Sequence, residues 1–310
     1  MRRVLGVHPS YVAYRLGSGI ARALPEPLLG PVVAATGSVA SRVMGDRRET
    51  VARNLRRVVG PQLEGRELRK MVDDTFESYV RYWGESFRLP GTPPEELDAG
   101  ITHDGLHYVL DALEDGTGII MAMPHLGGWE WAAFWLASVH HVPITAVVEP
   151  VEPPELADWF VGLRRSLGIN VVPLGPSAGT EVAKALKANH LVCLLCDRDL
   201  PGTGVEVEFF GERTTIPGGP ATLALRTGAP LCPSAVYFEG DRRHGVALPP
   251  LDTKRRGKLR DDVARVSQDL ALAFEDLIRE APDQWHLLQP NWPSDRLLAD
   301  RPKRRARLVP

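Results

Sequence analysis

Only three cysteines occur in 310 residues, too few for a set of disulfides. Cys193 and Cys196 form a C-x-x-C inside LVCLLCD. That stretch reads as a buried strand, and positions three apart on a strand face opposite sides. Two inert core thiols in a reducing compartment are expected, not a zinc or redox pair. Long apolar runs are missing too. The most apolar stretch, residues 27–44, is broken by Thr36, Ser38, Ser41 and Arg42. It falls short of the roughly 18–20 uninterrupted residues a spanning helix needs. His8, Pro9, Tyr14 and Arg15 interrupt what would be the apolar part of a signal peptide. No P-loop, no G-x-G-x-x-G and no H-E-x-x-H is present. His103, His107, His140 and His141 lack a third ligand at metal-site spacing, so neither a metal nor an organic cofactor is expected. The basic ends have few interleaved aromatics, which argues against a nucleic-acid partner.

What is present suits a folded protein: 44% hydrophobic and 25% charged residues, with a net charge of −2. That total hides an asymmetry. Residues 1–60 carry a net +7, residues 61–240 a net −13, and residues 241–310 a net +4. Basic ends suggest contact with something anionic, such as a membrane surface or a phosphorylated ligand. Arg2, Arg3, Arg15 and Arg22 surround apolar residues near the start, a pattern open to two readings. One is interfacial anchoring. The other is a helix hairpin packed on the core.

Residues 9–60 read as helices broken at Pro25, Pro27 and Gly45, and residues 65–88 as one more. From about residue 117 short apolar runs alternate with helical stretches. Strands are expected at 117–123, 142–149, 169–174, 190–197 and 230–238. Helices are expected near 127–140, 153–167, 178–189, 218–227 and 258–281. This alternation predicts an α/β fold, a central mostly parallel sheet flanked by helices, behind an N-terminal helical segment. The expected organisation is a basic helical segment at 1–60, an α/β core at 61–295 and a basic tail at 296–310. Ligands of such sheets bind at the carboxyl ends of the strands, where His125, Glu149, Asp197, Arg198 and Asp199 fall.

The sharpest motif is MPHLGGWEW. His125 follows a strand, two glycines make a tight turn, and Glu130 opens the next helix. A carboxylate reaching back to the imidazole gives the oriented histidine a general base needs. The glycines would let a substrate approach the backbone. A second cluster, CDRDL at 196–200, ends a buried strand in charges; it can hold a hydroxyl substrate, position His125 or form a salt-bridged turn. A third, IPGGPATLA, exposes glycine N–H groups at a helix start, a natural anion site. GPSAG at 175–179 matches the G-x-S-x-G elbow and offers Ser177 as an esterase nucleophile. Asp283 with His286, or Asp241 with His244, would have to complete that triad.

His125 with Glu130 resembles the H-x4-D/E signature of glycerolipid and lipid A acyltransferases. FFGERTTIPGGPATLALRTGAPLCP resembles a later block of the same group. SYVRYWGESFRLP, ARNLRRVVG, the CDRDL cluster and DQWHLLQPNW are similar to the phosphatidylinositol mannoside acyltransferases of actinobacteria. The resemblance covers roughly residues 10–293. It implies transfer of a long acyl chain, palmitoyl above all, from acyl-CoA to a mannose 6-hydroxyl of a phosphatidylinositol mannoside glycolipid. It implies a peripheral protein at the cytoplasmic face of the plasma membrane, in contact with an anionic membrane surface. His125 would be the base and Glu130 its orienting partner. Glu149 and Asp199 would bind the polyol, Arg164 an anionic group, and Arg198 would join the substrate-binding set. An apolar tunnel lined by Trp129, Trp131 and Trp135 would take the acyl chain. The rival within this resemblance is another lysolipid or lipid A-type acyltransferase.

Overall fold

The computed structural model describes residues 8–149, 151–199 and 202–295. Arg2, Arg3 and the tail 296–310 lie outside the described residues. Three helices open the chain: α1 (Pro9–Ala23), α2 (Glu26–Val43) and α3 (Gly45–Val59). Pro25 and Gly45 fall at the two breaks, while Pro27 falls in the first turn of α2, where a missing N–H is tolerated. All three pack on α4 (Gly65–Arg88). Leu68, Val72 and Phe76 recur at four-residue spacing in α4 and bury one stripe. Among the described residues no single helix is long and apolar enough to cross a membrane.

After a short α5 (Pro94–Ala99) the α/β layer begins with β1 (Ile101–Asp104) and α6 (Leu106–Glu114). Then come β2 (Ile119–Met123), α7 (Trp129–Ser138), β3 (Ile144–Val148) and α8 (Pro154–Arg165). They are followed by β4 (Asn170–Pro173), α9 (Ala178–Lys187) and β5 (Leu191–Leu195). A hairpin of β6 (Val205–Phe209) and β7 (Glu212–Ile216) leads to α10 (Gly219–Thr227). β8 (Leu231–Glu239), β9 (Arg242–Ala247) and α11 (Leu259–Glu280) complete it.

The seven-stranded sheet runs β1-β9-β8-β2-β5-β3-β4, parallel throughout except for the β8–β9 hairpin. The expected α/β fold and all five expected strands are present. β1, α6, β9 and the β6–β7 hairpin were not read from the sequence. β9 is RRHGVA, too polar to register as an apolar run. The β6–β7 turn is Phe210–Gly211, both at positive φ, as a two-residue hairpin demands. One core layer lies under α9, α10 and α11, and a second under α5, α6 and α7. Cys196 packs in the first layer and Cys193 in the second, the opposite faces expected. Burial pushes the Cys193 and Cys232 thiols up to about 12, and the Cys196 thiol higher still, also through Asp197.

Helices α2 and α4 meet at Gly37, where an added Cβ would stand 2.7 Å from the Glu77 Cα. No such neighbour exists at Gly30 of the same helix. Gly37→Leu is expected to destabilise the fold by about 1–3 kcal/mol through overpacking. Gly30→Ala is expected to leave stability unchanged or raise it. Urea unfolding midpoints check the pair; equal effects would show that the α2–α4 contact is not close.

Candidate active site

β2 and β5 are parallel neighbours in a register that sets Met123 beside Leu195. Two residues past these paired ends stand His125 and Asp197. The chain thus delivers an imidazole and a carboxylate to one edge of the sheet. The His125 Nδ1–H donates to Asp197 Oδ1 at 2.5 Å, and the His125 backbone N–H donates to Oδ2 at 3.1 Å. The Trp285 indole N–H donates to Oδ2 at 2.8 Å. Asp197 is fully buried. Burial alone would raise its carboxyl, but the adjacent His125 and these hydrogen bonds outweigh it and hold the group down to about 2. With Nδ1 committed to the carboxylate, Nε2 keeps its lone pair and can accept a proton.

Glu130 does not fill the place the sequence reading gave it. It lies in the first turn of α7, and its carboxylate forms an ion pair with Arg164 of α8. The Tyr82 hydroxyl donates to the same oxygen at 3.3 Å. Burial, and then the charge of Glu130, push the Tyr82 hydroxyl well up, so it remains a donor. Of the roles left open for CDRDL, the structure gives Asp197 the positioning of His125. The two glycines also serve differently. At Gly127, with φ +59, an added Cβ would stand 1.9 Å from the Val236 carbonyl oxygen. At Gly128 it would stand 2.8 Å from the Phe238 ring. Strand β8, not a substrate, is what approaches this backbone.

His125 opens onto a cleft of about 590 Å³, which Glu149, Arg164 and Arg198 also line. Arg198 donates to Glu149 and to the Gln289 side-chain carbonyl, both at 2.8 Å. Glu130 and Asp199 do not line it. Glu130 stands behind Arg164, and the Asp199 carboxylate accepts the Gly204 N–H at 2.6 Å. Trp129 lines this cleft and also a narrow apolar cavity of about 70 Å³. Met121, Met123, Ala133 and Trp135 contribute to that cavity, but Trp131 does not. Trp131 lies under the Arg243 guanidinium, 3.7 Å from its ring centre.

Sequence reasoning used the segment after α11 for its resemblance but gave Trp285 and Asn291 no place in the site. Its Trp285 binds Asp197, and its Asn291 side-chain amide donates to the Asp197 carbonyl at 3.3 Å. The His286 backbone N–H donates to the His125 carbonyl at 2.7 Å. The available signal was QWHLLQPNW itself, aromatic and amide groups gathered just beyond a long helix. Ser177 is exposed at the start of α9 with φ −86, an ordinary backbone. None of the described residues hydrogen-bonds its hydroxyl, which removes the support for an elbow nucleophile. Gly218 and Gly219 lie outside the cleft, and Gly218 is pressed against Val205.

The family model for bacterial lipid A biosynthesis acyltransferases matches residues 5–294. The chain belongs to that family. It is 39% identical to a phosphatidylinositol mannoside acyltransferase of Mycolicibacterium smegmatis, over 98% of this chain and 97% of that protein. It is 38% identical to a Mycobacterium tuberculosis protein of the same name, over 91% of this chain and 88% of that one.

The depressed carboxyl of Asp197 fixes a pH dependence. A group held at about 2, against 3.8 ordinarily, contributes stability that is present above 3.8. That contribution is lost as pH falls through about 2. Asp197→Asn is expected to lower the neutral-pH unfolding midpoint and flatten its acid limb. Parallel acid limbs in the two proteins would contradict the depressed Asp197 carboxyl.

Proposed function

We propose that this acyltransferase moves a long acyl chain, palmitoyl above all, from coenzyme A to a mannose 6-hydroxyl of a phosphatidylinositol mannoside. The observation that carries the reading is the placement of the His125–Asp197 pair. It stands in a cleft that carries Glu149, Arg164 and Arg198 among apolar walls and shares Trp129 with an apolar cavity. Acyl transfer to a sugar needs both: a wet side for the polyol and a dry side for the chain. The names of the full-length relatives add the acceptor class.

In this mechanism Nε2 of His125 takes the proton of the sugar hydroxyl as that oxygen attacks the thioester carbonyl. A C–O bond forms, the C–S bond breaks, and the imidazolium returns its proton to the departing thiolate. Asp197 stabilises the imidazolium and fixes its tautomer. Glu149 and Arg198 hold the polyol as a linked pair. Arg164, backed by Glu130, offers its remaining N–H groups to an anionic part of the donor. Acyl-CoA enters as co-substrate and leaves as free coenzyme A, and no resident cofactor takes part.

Incubation with palmitoyl coenzyme A and a panel of acceptors tests this. Free thiol and an acylated lipid should appear together, and phosphatidylinositol mannoside should outrun lysophospholipid and lipid A precursor. His125→Ala should abolish transfer, and Asp197→Asn should lower kcat on the order of 10²–10⁴-fold. Ser177→Ala should leave it intact. Thiol release that ignores the acceptor would mean a hydrolase instead.

The same reading places the protein peripherally on the cytoplasmic face of the plasma membrane. Val12, Leu16 and Ile20 of α1 are spaced four apart and exposed, Leu16 at 62% and Ile20 at 59%. Leu28, Val32, Val39 and Val43 extend an exposed stripe on α2. Arg15 and Arg22 share α1 with that face. These residues form the membrane-contacting surface, with apolar side chains in the interface and guanidinium groups on anionic lipid. Binding to phosphatidylinositol-rich vesicles is expected to weaken as salt rises and to drop in the Leu16→Asn/Ile20→Asn double variant. Salt-independent binding that also survives the double substitution would remove α1 from the interface.

A further inference from the structure

One residue of the cleft wall carries a polar atom with no task in the chemistry above. His286 is 4% exposed and lines the cleft that holds His125. Its Nε2 lies 2.8 Å from the Ser78 hydroxyl oxygen of α4. Its Nδ1 is buried and has no hydrogen-bond partner. An unsatisfied buried polar atom costs about 1–3 kcal/mol. Among the described residues five buried side-chain atoms stand in this condition. Three of them, Trp83 Nε1, Arg198 Nε and His286 Nδ1, belong to residues on the walls of this one cleft. Grouping of that kind points to a ligand rich in hydrogen-bonding groups.

The ring is also rigidly referenced to the reacting histidine. The His286 backbone N–H is bonded to the His125 carbonyl, and Leu126 pairs with Trp285 as an isolated β-bridge. Tyr79, Tyr82 and Trp129 pack around the imidazole, with ring centres 5.6–5.9 Å away. Burial, and next the neighbouring His125, push its pKa down to about 3, so the ring is neutral at physiological pH. It therefore acts as a hydrogen-bonding group and not as a charge.

We infer that His286 Nδ1 hydrogen-bonds a non-reacting hydroxyl of the acyl acceptor and so seats the sugar beside His125. The inference rests on the polyol-acceptor reading above. The Ser78 contact fits the ring proton on either nitrogen, so Nδ1 is left as a donor in one tautomer and an acceptor in the other. A hydroxyl satisfies both, because it donates and accepts, whereas a phosphate oxygen satisfies only the first.

Two amide variants separate recognition from packing. Asparagine at 286 keeps a polar atom near the position of Nδ1 and loses the Ser78 contact. Glutamine reaches the position of Nε2, keeps the Ser78 contact and leaves Nδ1 without a counterpart. Steady-state transfer is measured with palmitoyl coenzyme A at saturation and a mannosylated phosphatidylinositol as the varied acceptor. The KM for palmitoyl coenzyme A is measured alongside, at saturating acceptor. His286→Gln is expected to raise the acceptor KM about tenfold or more, the loss of one good hydrogen bond. His286→Asn is expected to raise it less, and the KM for palmitoyl coenzyme A should change far less than the acceptor KM in both. KM does not depend on the folded fraction, so a partly unfolded variant still reports. A His286→Gln acceptor KM equal to or below that of His286→Asn overturns the inference, as does an equal rise in the KM for palmitoyl coenzyme A. Acceptor-independent thiol release by the wild-type protein overturns the polyol reading itself, and is seen before any variant is compared.

Discussion

A carboxylate without solvent exposure, Asp197, is the constraint on which the site depends. Burying an unpaired carboxylate is among the costliest things a fold can do. Here the cost is offset by an imidazole N–H, a backbone N–H and an indole N–H. The first two come from the loop after β2, the third from the segment after α11, 88 residues beyond Asp197. The site is therefore not a local motif. It exists only when the central sheet is in register and the C-terminal segment has docked across its edge.

A second buried acid holds that segment from its far end. Asp295 accepts from Arg53 and Arg57 of α3, both at 2.9 Å, and Arg57 also lies 4.2 Å from the Trp292 ring centre. Between Asp197 and Asp295 the chain has little freedom, and His286 and Gln289 take their places as a result. The basic N-terminal helices thus have structural as well as surface tasks: part of the +7 is spent inside the protein. Helix α1 shows the division on a single element. Its Ser10 and Tyr14 line the cleft, while Val12, Leu16 and Ile20 face out.

The parallel sheet was legible because its central strands are buried on both faces and read as continuous apolar runs, IIMAM and LVCLL. His125 was legible because a histidine directly after such a strand has no packing task to explain it. Strands β1 and β9 were not, since ITHD and RRHGVA are too polar to register as apolar runs. Neither was the identity of the orienting acid. Sequence spacing made Glu130 available five residues from His125, whereas Asp197 is available only through the β2–β5 register, which no local pattern encodes. The tryptophans divided for a similar reason: Trp129 and Trp135 reach the apolar cavity, while Trp131, between them, turns to Leu97 and Arg243.

Why the acid of the H-x4-E pattern pairs with arginine follows from counting buried charges. Four groups meet here: His125, Asp197, Glu130 and Arg164. Were Glu130 to reach the imidazole, Asp197 would stay buried without its main partner and Arg164 would lose its carboxylate. The observed pairing, Asp197 with His125 and Glu130 with Arg164, leaves no charge alone. Breaking a buried pair by removing one partner costs on the order of 3–5 kcal/mol, which is ample to decide between the two arrangements. The motif's two ends are thus held five residues apart for two tasks. The histidine opens onto the cleft, and the glutamate fixes a guanidinium on the wall beside it. That fixed wall also holds Tyr82, whose ring stacks on Trp129 at 4.1 Å, a side chain that lines both the cleft and the apolar cavity.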